Sequence, residues 1–167
     1  NNKTCCFTFL FNELANGFSL KGQWHKTVFK NNNPIVLELG CGKGEYSVGL
    51  AKNNSNKNYI GVDIKSNRIW TGATQAKELK LNNIAFLRAR IDFIDHCFDV
   101  NEVDEIWITF PDPQIKYKRT KHRMTNSEFL QLYKKILKKA KKRGAQTQNG
   151  LSMLVNQAEK AWEIWNR

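Results

Sequence analysis

Apolar runs and helix-like stretches alternate along the middle of the chain. Short apolar runs with the composition of buried strands cover residues 35–39, 58–62, 84–87 and 104–110. Apolar positions recur at helical spacing in residues 45–52 and 65–81, and residues 92–98 predict a short helix. This alternation of strands and helices predicts right-handed crossover connections between parallel strands. The fold class expected is therefore α/β, with a mostly parallel sheet and helices on both of its faces.

The two ends of the chain follow a different pattern. Residues 1–33 show no clear period and form a lead-in segment that ends in an asparagine-rich turn. Residues 127–142 predict a helix with one apolar face, and apolar positions recur at helical spacing in residues 151–165. We therefore divide the chain into a lead-in at 1–33, a central domain at 34–142 and a divergent helical tail at 143–167.

Three glycines follow the first strand at alternate positions, Gly40, Gly42 and Gly44. Glycine permits positive φ and lets a ligand approach the backbone, and the helix after it presents free N–H groups. Glu38 stands two residues before the first glycine, and the spacing is not the G-x-G-x-x-G of dinucleotide sites. The turn predicts a nucleotide-type site, and a tight turn of any α/β protein is the alternative.

Asp63 stands at the end of the second strand, at the distance from the glycine turn where an acid can accept both ribose hydroxyls of an adenosine cofactor. Its alternative role is to cap the next helix. Both features lie at the carboxyl ends of strands, where parallel sheets bind ligands.

Asp112 lies between Pro111 and Pro113 after the fourth strand. The prolines restrict the backbone on both sides, which predicts a positioned carboxylate rather than an incidental acid in a turn. Lysines and arginines dominate residues 116–123, and we interpret this run as a phosphate-binding loop, with a solvated loop as the alternative.

Composition narrows the class of partner. The 167 residues suit one domain, and the net charge of +12, from 27 basic and 15 acidic residues, favours nucleic acid first and an anionic membrane second. No apolar run is long enough to span a membrane. The four cysteines are Cys5, Cys6, Cys41 and Cys97. They show no C-x-x-C spacing and no paired histidines accompany them, so we expect no metal site. The same cysteine usage favours a reducing, cytoplasmic location.

Together these motifs resemble the bacterial-type tRNA (guanine-N7)-methyltransferases. The resemblance rests on residues 38–45, on Gly61-Val62-Asp63, on the Phe-Pro-Asp-Pro segment at 110–113, and on the lead-in at 18–24, and it spans residues 18–137. It implies a Rossmann-like class I S-adenosylmethionine (SAM) methyltransferase fold and the activity of a tRNA (guanine(46)-N7)-methyltransferase. The cofactor implied is SAM and the partner tRNA, with no metal, no membrane association, and a monomer or homodimer as the assembly.

The resemblance assigns roles to the matching positions. Asp112 would be the catalytic acid and a cofactor contact, beside the cofactor-binding residues Glu38, Gly40, Gly42, Gly44, Asp63, Arg90 and Ile91. Lys116 would contact the substrate guanosine or its backbone; the following cations, expected to bind tRNA phosphates, are Lys118, Arg119, Lys121 and Arg123.

The chain departs from the family's usual pattern at three points. Gln114 and Ile115 stand where Trp-Pro is common, so the substrate face could differ. Arg90 stands where the family has an acid near the adenine, so only backbone contacts around Arg90 and Ile91 carry over. The family's C-terminal strands are not evident, which fits a shortened chain, a divergent tail or a sequence joined across missing residues equally well.

Methyl transfer from SAM to guanine N7 requires few catalytic groups from the protein. Guanine N7 carries a free lone pair, so no general base is needed, and a carboxylate such as Asp112 can stabilise the positive charge that moves onto the purine. His25, His96 and His122 lie in no nucleophile triad, which disfavours hydrolase chemistry. Two alternatives stay open: methylation of another substrate (rRNA, protein or a small molecule), and a non-catalytic RNA-binding protein with this fold.

Overall fold

The computed structural model describes residues 6–10, 12–109, 111 and 117–138. Within these residues, five parallel strands form one sheet in the order β1-β4-β3-β2-β5. The strands are β1 (Cys6–Thr8), β2 (Ile35–Leu39), β3 (Asn58–Asp63), β4 (Ile84–Arg88) and β5 (Glu105–Trp107). The predicted tail at 143–167 lies outside the described residues, as do Asp112 and Lys116.

Helices connect the strands as the sequence predicts. The α-helices are α1 (Glu13–Asn16), α2 (Glu45–Asn53), α3 (Ser66–Glu78), α4 (Ile94–Cys97) and α5 (Ser127–Ile136). A π-helix covers Trp24–Phe29, and 3-10 turns cover Ile91–Phe93 and Tyr117–His122.

The strand order reverses at β2. β3 pairs with one side of β2, and β5 pairs with the other, with Glu38 opposite Gly61 and Trp107 respectively. β2 and β3 are buried along their whole length, which agrees with their near-continuous apolar sequences. A reversal of this kind opens a crevice at the carboxyl ends of the strands on either side of it, and that edge carries the candidate site.

Two hydrophobic layers cover the sheet. Because successive strand residues point to opposite faces, Val36 and Phe86 pack in one layer while Leu37 and Leu87 pack in the other. The first layer also holds buried residues of α2 and α3, and the second holds those of α4 and α5. Helices on both faces of a parallel sheet confirm the predicted α/β architecture.

The lead-in segment shares the second layer rather than preceding it. The Trp24 side chain is fully buried, donates from Nε1 to the carbonyl of Cys97 (3.0 Å) and stacks on Phe98, with ring centroids 5.2 Å apart. β1 pairs with β4 at the edge of the sheet, which the sequence analysis did not predict because three residues are too few to show a period.

The end of α5 differs from the prediction. The helix stops at Ile136, so the predicted extent of 127–142 is wrong at its C-terminal end. Leu137 forms a parallel bridge with Val103, and the N–H of Lys138 donates to the carbonyl of Val103 (2.7 Å). The chain after α5 therefore makes one isolated parallel bridge to the residues just before β5, where the sequence analysis expected the helix to continue.

Candidate cofactor site

The glycine turn links the ends of β2 and β3. The N–H groups of Gly40 and Cys41 both donate to the carbonyl of Val62, over 2.8 and 3.1 Å. Gly40, Gly42 and Gly44 have φ of 73°, 57° and 75°, so the turn uses the left-handed region that favours glycine. The predicted turn between strand and helix therefore lies at the carboxyl edge of the sheet.

Glu38 is buried at the end of β2, and its carboxylate is held by two other elements. Oε2 accepts from the backbone N–H of Ser47 (3.0 Å) and from its hydroxyl (2.5 Å), and Oε1 accepts from the Thr109 hydroxyl (3.0 Å). Because Gly44, the residue before α2, has no side chain to cap the helix, Glu38 supplies a side-chain acceptor for the first turn.

Asp63 connects the second strand to the glycine turn. Its Oδ2 accepts from the N–H of Gly42 (3.0 Å), and its Oδ1 accepts from the N–H of Lys65 (2.8 Å). The residue that precedes α3 is Lys65, so the alternative role of Asp63 as the cap of that helix is wrong. Its carboxylate faces the turn, beside the site where the sequence analysis expected a ligand.

Two cavities flank Gly40. The first, of about 360 Å³, lies over the ends of β2 and β5; its lining is Glu38, Gly40, Cys41, Gly42, Lys43, Glu45, Tyr46, Arg68 and Thr109. The second, of about 320 Å³, lies over the ends of β3 and β4; its lining is Gly40, Asp63, Ile64, Ala89, Arg90, Ile91, Asp92, His122, Met124 and Phe129. One carboxylate at a strand end lies in each cavity, and the second cavity is mainly apolar.

Arg90 and Ile91 both line the second cavity, as expected from their position after β4. Arg90 Nε donates to Asp92 Oδ1 (3.1 Å), and its guanidinium lies 5.4 Å from the centroid of the Phe93 ring. The hydrogen bond to Asp92 raises the pKa of Arg90 above its usual range. The carboxylate of Asp92 therefore lines this cavity, two residues after Arg90, the position at which the family usually has an acid.

The basic run lies against the second cavity. His122 and Met124 form part of its wall, and the Met124 side chain packs against Gly40. The side chains of Lys118, Lys121 and Arg123 are exposed to solvent. Lys121 and Arg123 also line a separate surface cavity of about 360 Å³ at the start of α5. The side chain of Arg119 lies outside the described residues.

Cys41 is buried in the turn and lines the first cavity. Burial, followed by the nearby Glu38 and Asp63 carboxylates, raises the pKa of its thiol well above the usual range. A raised pKa disfavours the thiolate, which is the form in which a cysteine acts as a nucleophile.

Sequence reasoning missed several residues of this site. Ser47 and Thr109 hold Glu38, Arg68 and Tyr46 line the first cavity, and Met124 lines the second. Of these residues, only Ser47 could have been identified from the sequence, by its position in the first turn of α2. A polar side chain there can form a hydrogen bond with an acid at the end of the preceding strand.

The part of the chain that the structure describes contains neither a metal-binding cluster nor a membrane-spanning helix. No group of three or more acidic, histidine or cysteine side chains there could hold a metal ion. None of the described helices combines the length and the apolar character needed to cross a bilayer.

Comparison with known proteins places this site in context. A family model described as "Putative methyltransferase" matches residues 32–148. A Christiangramia forsetii protein named tRNA (guanine-N(7)-)-methyltransferase is 63% identical over 123 residues, which cover 74% of this chain and 55% of the relative. A Bacteroides fragilis protein of the same name is 56% identical over 120 residues, which cover 72% of this chain and 47% of the relative.

The chain thus spans about half the length of the curated relatives it matches. Among solved structures, that of the [4+2]-cyclase SpnF is similar, with a TM-score of 0.51, 16% identity, and coverage of 71% of this chain and 40% of that one. A likeness at this identity supports the fold alone.

Proposed function

Because this chain belongs to the tRNA (guanine-N7)-methyltransferase family, we propose that it transfers the methyl group of SAM to N7 of a guanosine in tRNA, namely guanine 46 in the variable loop. The observation that carries the proposal is the pair of cavities that meet at Gly40, with Glu38 in one and Asp63 in the other.

The two cavities fit the two halves of SAM. Asp63 and the apolar wall of the second cavity suit a nucleoside, because a carboxylate can accept from ribose hydroxyls while apolar side chains cover a base. Glu38 in the first cavity suits the positively charged amino-acid half. The left-handed glycines leave the backbone between these halves open to close approach.

Bound SAM would supply an electrophilic methyl group, which bonds to the N7 lone pair as the carbon–sulfur bond breaks and its electron pair stays on sulfur. The protein's part is alignment and electrostatic stabilisation, because N7 needs no general base. We assign the stabilising carboxylate to Asp112. In the sequence, Asp112 follows Thr109, a residue of the wall of the first cavity, by three positions.

The basic run supplies the RNA-binding part of the proposal. Lys118, Lys121 and Arg123 are exposed, and His122 of the same run lines the second cavity. We propose that these three cations, with Lys116 and Arg119, bind tRNA phosphates. We also propose a cytoplasmic location and a monomer or homodimer as the functional unit.

Titration with SAM, followed by single-turnover methylation of a tRNA transcript, tests this function. We expect Asp63→Ala to weaken SAM binding by about 1–3 kcal/mol, the cost of leaving polar groups unpaired. Mass spectrometry of the digested product should find the methyl group on guanine N7. Product on any other atom or base would overturn the assignment, and SAM binding without transfer to any RNA would favour the non-catalytic alternative.

The role of Asp112 has its own test. Asp112→Asn should keep the shape of the segment, because asparagine is favoured in turns, yet lower the transfer rate by about 10²-fold with SAM affinity unchanged. Asp99→Asn, at an exposed aspartate that follows α4, is the matched control and should transfer at the parent rate. A parent rate in Asp112→Asn would show that Asp112 is only a turn residue.

A further inference from the structure

The hydroxyl of Thr109 joins the cofactor site to the segment that carries Asp112. Thr109 Oγ1 donates to Glu38 Oε1 over 3.0 Å, and both side chains are buried, with 8% and 5% of their surface exposed. Thr109 lies two residues after β5 and three before Asp112. It is therefore the last buried contact described before the Phe-Pro-Asp-Pro segment.

The Glu38 carboxylate holds three elements together. One oxygen binds the first turn of α2 through Ser47, and the other binds the end of β5 through Thr109. Glu38 itself belongs to β2, the strand at which the sheet order reverses. Hydrogen bonds to a buried carboxylate are stronger than neutral ones, so this arrangement fixes its parts firmly.

We propose that Thr109 is a positioning residue, whose bond to Glu38 sets where the Asp112 segment leaves the sheet relative to the cofactor cavity. The proposal rests on the proposed function and adds to it a residue that acts through Glu38 rather than on the substrate. Thr109 also lines the first cavity, so its hydroxyl lies between the cofactor and the start of the segment. Loss of the bond would keep the pairing of β5 with β2 and remove the side-chain contact that ties Thr109 to Glu38.

A merely structural role predicts a different outcome. Valine has nearly the shape of threonine, so Thr109→Val leaves no cavity but takes the hydrogen-bond donor from Glu38 Oε1, and Thr109→Ser restores that donor. Ser47→Ala is the matched comparison, because it removes a hydroxyl from the same carboxylate without touching the segment after β5. If Thr109 only satisfied a buried acid, Thr109→Val and Ser47→Ala would behave alike.

The first measurement is single-turnover transfer at saturating SAM and tRNA. Thr109→Val should slow transfer about ten- to a hundredfold, the scale of one charge-assisted hydrogen bond, with the KM for tRNA unchanged. Thr109→Ser should return the rate close to that of the parent. A lower melting temperature with a parent rate in Thr109→Val would overturn the proposal, as would a Thr109→Ser variant that stays slow.

The second measurement does not depend on activity. Trypsin cuts after the cations of residues 116–123, and the rate of these cuts reports how firmly the segment is held. Thr109→Val should be cut several times faster than Thr109→Ser, and Ser47→Ala should be cut at the parent rate, with and without S-adenosylhomocysteine. Equal rates in Thr109→Val and the parent overturn the inference.

These results separate the inference from the function on which it rests. A parent chain that methylates no RNA refutes the proposed function, and the trypsin comparison then decides on Thr109 alone. If Thr109→Val does not fold, Thr109→Ala replaces it in both measurements, against the same Thr109→Ser control.

Discussion

The ring of Phe86 lies in a space that three glycines leave open. A Cβ atom added at Gly44, Gly61 or Gly72 would lie 2.5, 2.9 or 2.7 Å from the nearest atom of that ring. These glycines belong to the turn, to β3 and to α3, so one aromatic side chain of β4 packs against three elements around the candidate cofactor site. The sequence showed glycines in the turn but not that a ring from a later strand fills the space beside them.

Gly44→Ala tests this packing. Gly44 has φ +75°, and the new Cβ would lie 2.5 Å from Phe86 Cε1, so strain and overpacking both act. We expect the free energy of unfolding, measured by urea titration, to fall by about 2–4 kcal/mol. Gly49→Ala in α2 is the control: nothing lies within 4 Å of its new Cβ, and it should stabilise the fold by up to about 1 kcal/mol. Equal effects of the two substitutions would contradict this account.

Some candidate site residues can be recognised from the sequence around them, whereas others depend on contacts between distant segments. Glu38 and Asp63 could be found because each ends a strand whose sequence is recognisable on its own. Thr109 could not, because its contact with Glu38 joins residues 71 positions apart, and it depends on how β5 pairs with β2. Their roles in binding remain predictions.

At the scale of elements, the lead-in shows why a segment without periodicity can still belong to the core. The sequence analysis placed residues 1–33 before the central domain, yet the N–H groups of Gly22, Trp24 and Asp99 all donate to the carboxylate of Glu102. These bonds tie the lead-in to the loop that precedes β5. The structure therefore gives the lead-in and the sheet one shared core.

Glu102→Gln tests the strength of this connection. The amide keeps one acceptor oxygen, so a buried N–H loses its partner, and the free energy of unfolding should fall by about 1–3 kcal/mol. Glu78→Gln, at an exposed position in the last turn of α3, is the matched control and should change it by less than about 0.5 kcal/mol. Thermal unfolding of both variants decides: a Glu102→Gln protein as stable as the control would show that the lead-in is held by its apolar contacts alone.

At the scale of the whole molecule, the alternation of strands and helices was sufficient to predict the α/β class, and the comparisons confirm the methyltransferase family and its Rossmann-like class I fold. The order of the strands was beyond the sequence pattern, because pairing depends on contacts between distant segments. The strand contact at Leu137 was missed because the helical pattern of α5 runs on in sequence past the residue where the helix ends.

The fold also separates the positive charges of the molecule. The helices α2, α3 and α5 begin at the carboxyl edge of the sheet and run back across it. The cations in their last turns therefore lie at the amino edge of the sheet. They include Lys52, Lys77 and Lys134. Lys118, Lys121 and Arg123 instead belong to the basic run, in which His122 lines the second cavity and Lys121 and Arg123 line the surface cavity at the start of α5. All six side chains are exposed, so the two sets differ in position rather than in burial.

This separation allows a test of where RNA binds, because two triple variants with the same net charge can be compared. Replacing Lys118, Lys121 and Arg123 by glutamine lowers the net charge from +12 to +9, as does replacing Lys52, Lys77 and Lys134. If each cation of the first set contacts one phosphate, the slope of log K against log salt concentration for tRNA binding should decrease in magnitude by roughly 2–3, since each lost contact removes about 0.7–0.9. The second set should leave the slope near that of the parent. Filter binding between low and moderate salt measures both slopes, and an equal reduction in the two triple variants would show that RNA responds to the total charge rather than to the basic run beside the cofactor site.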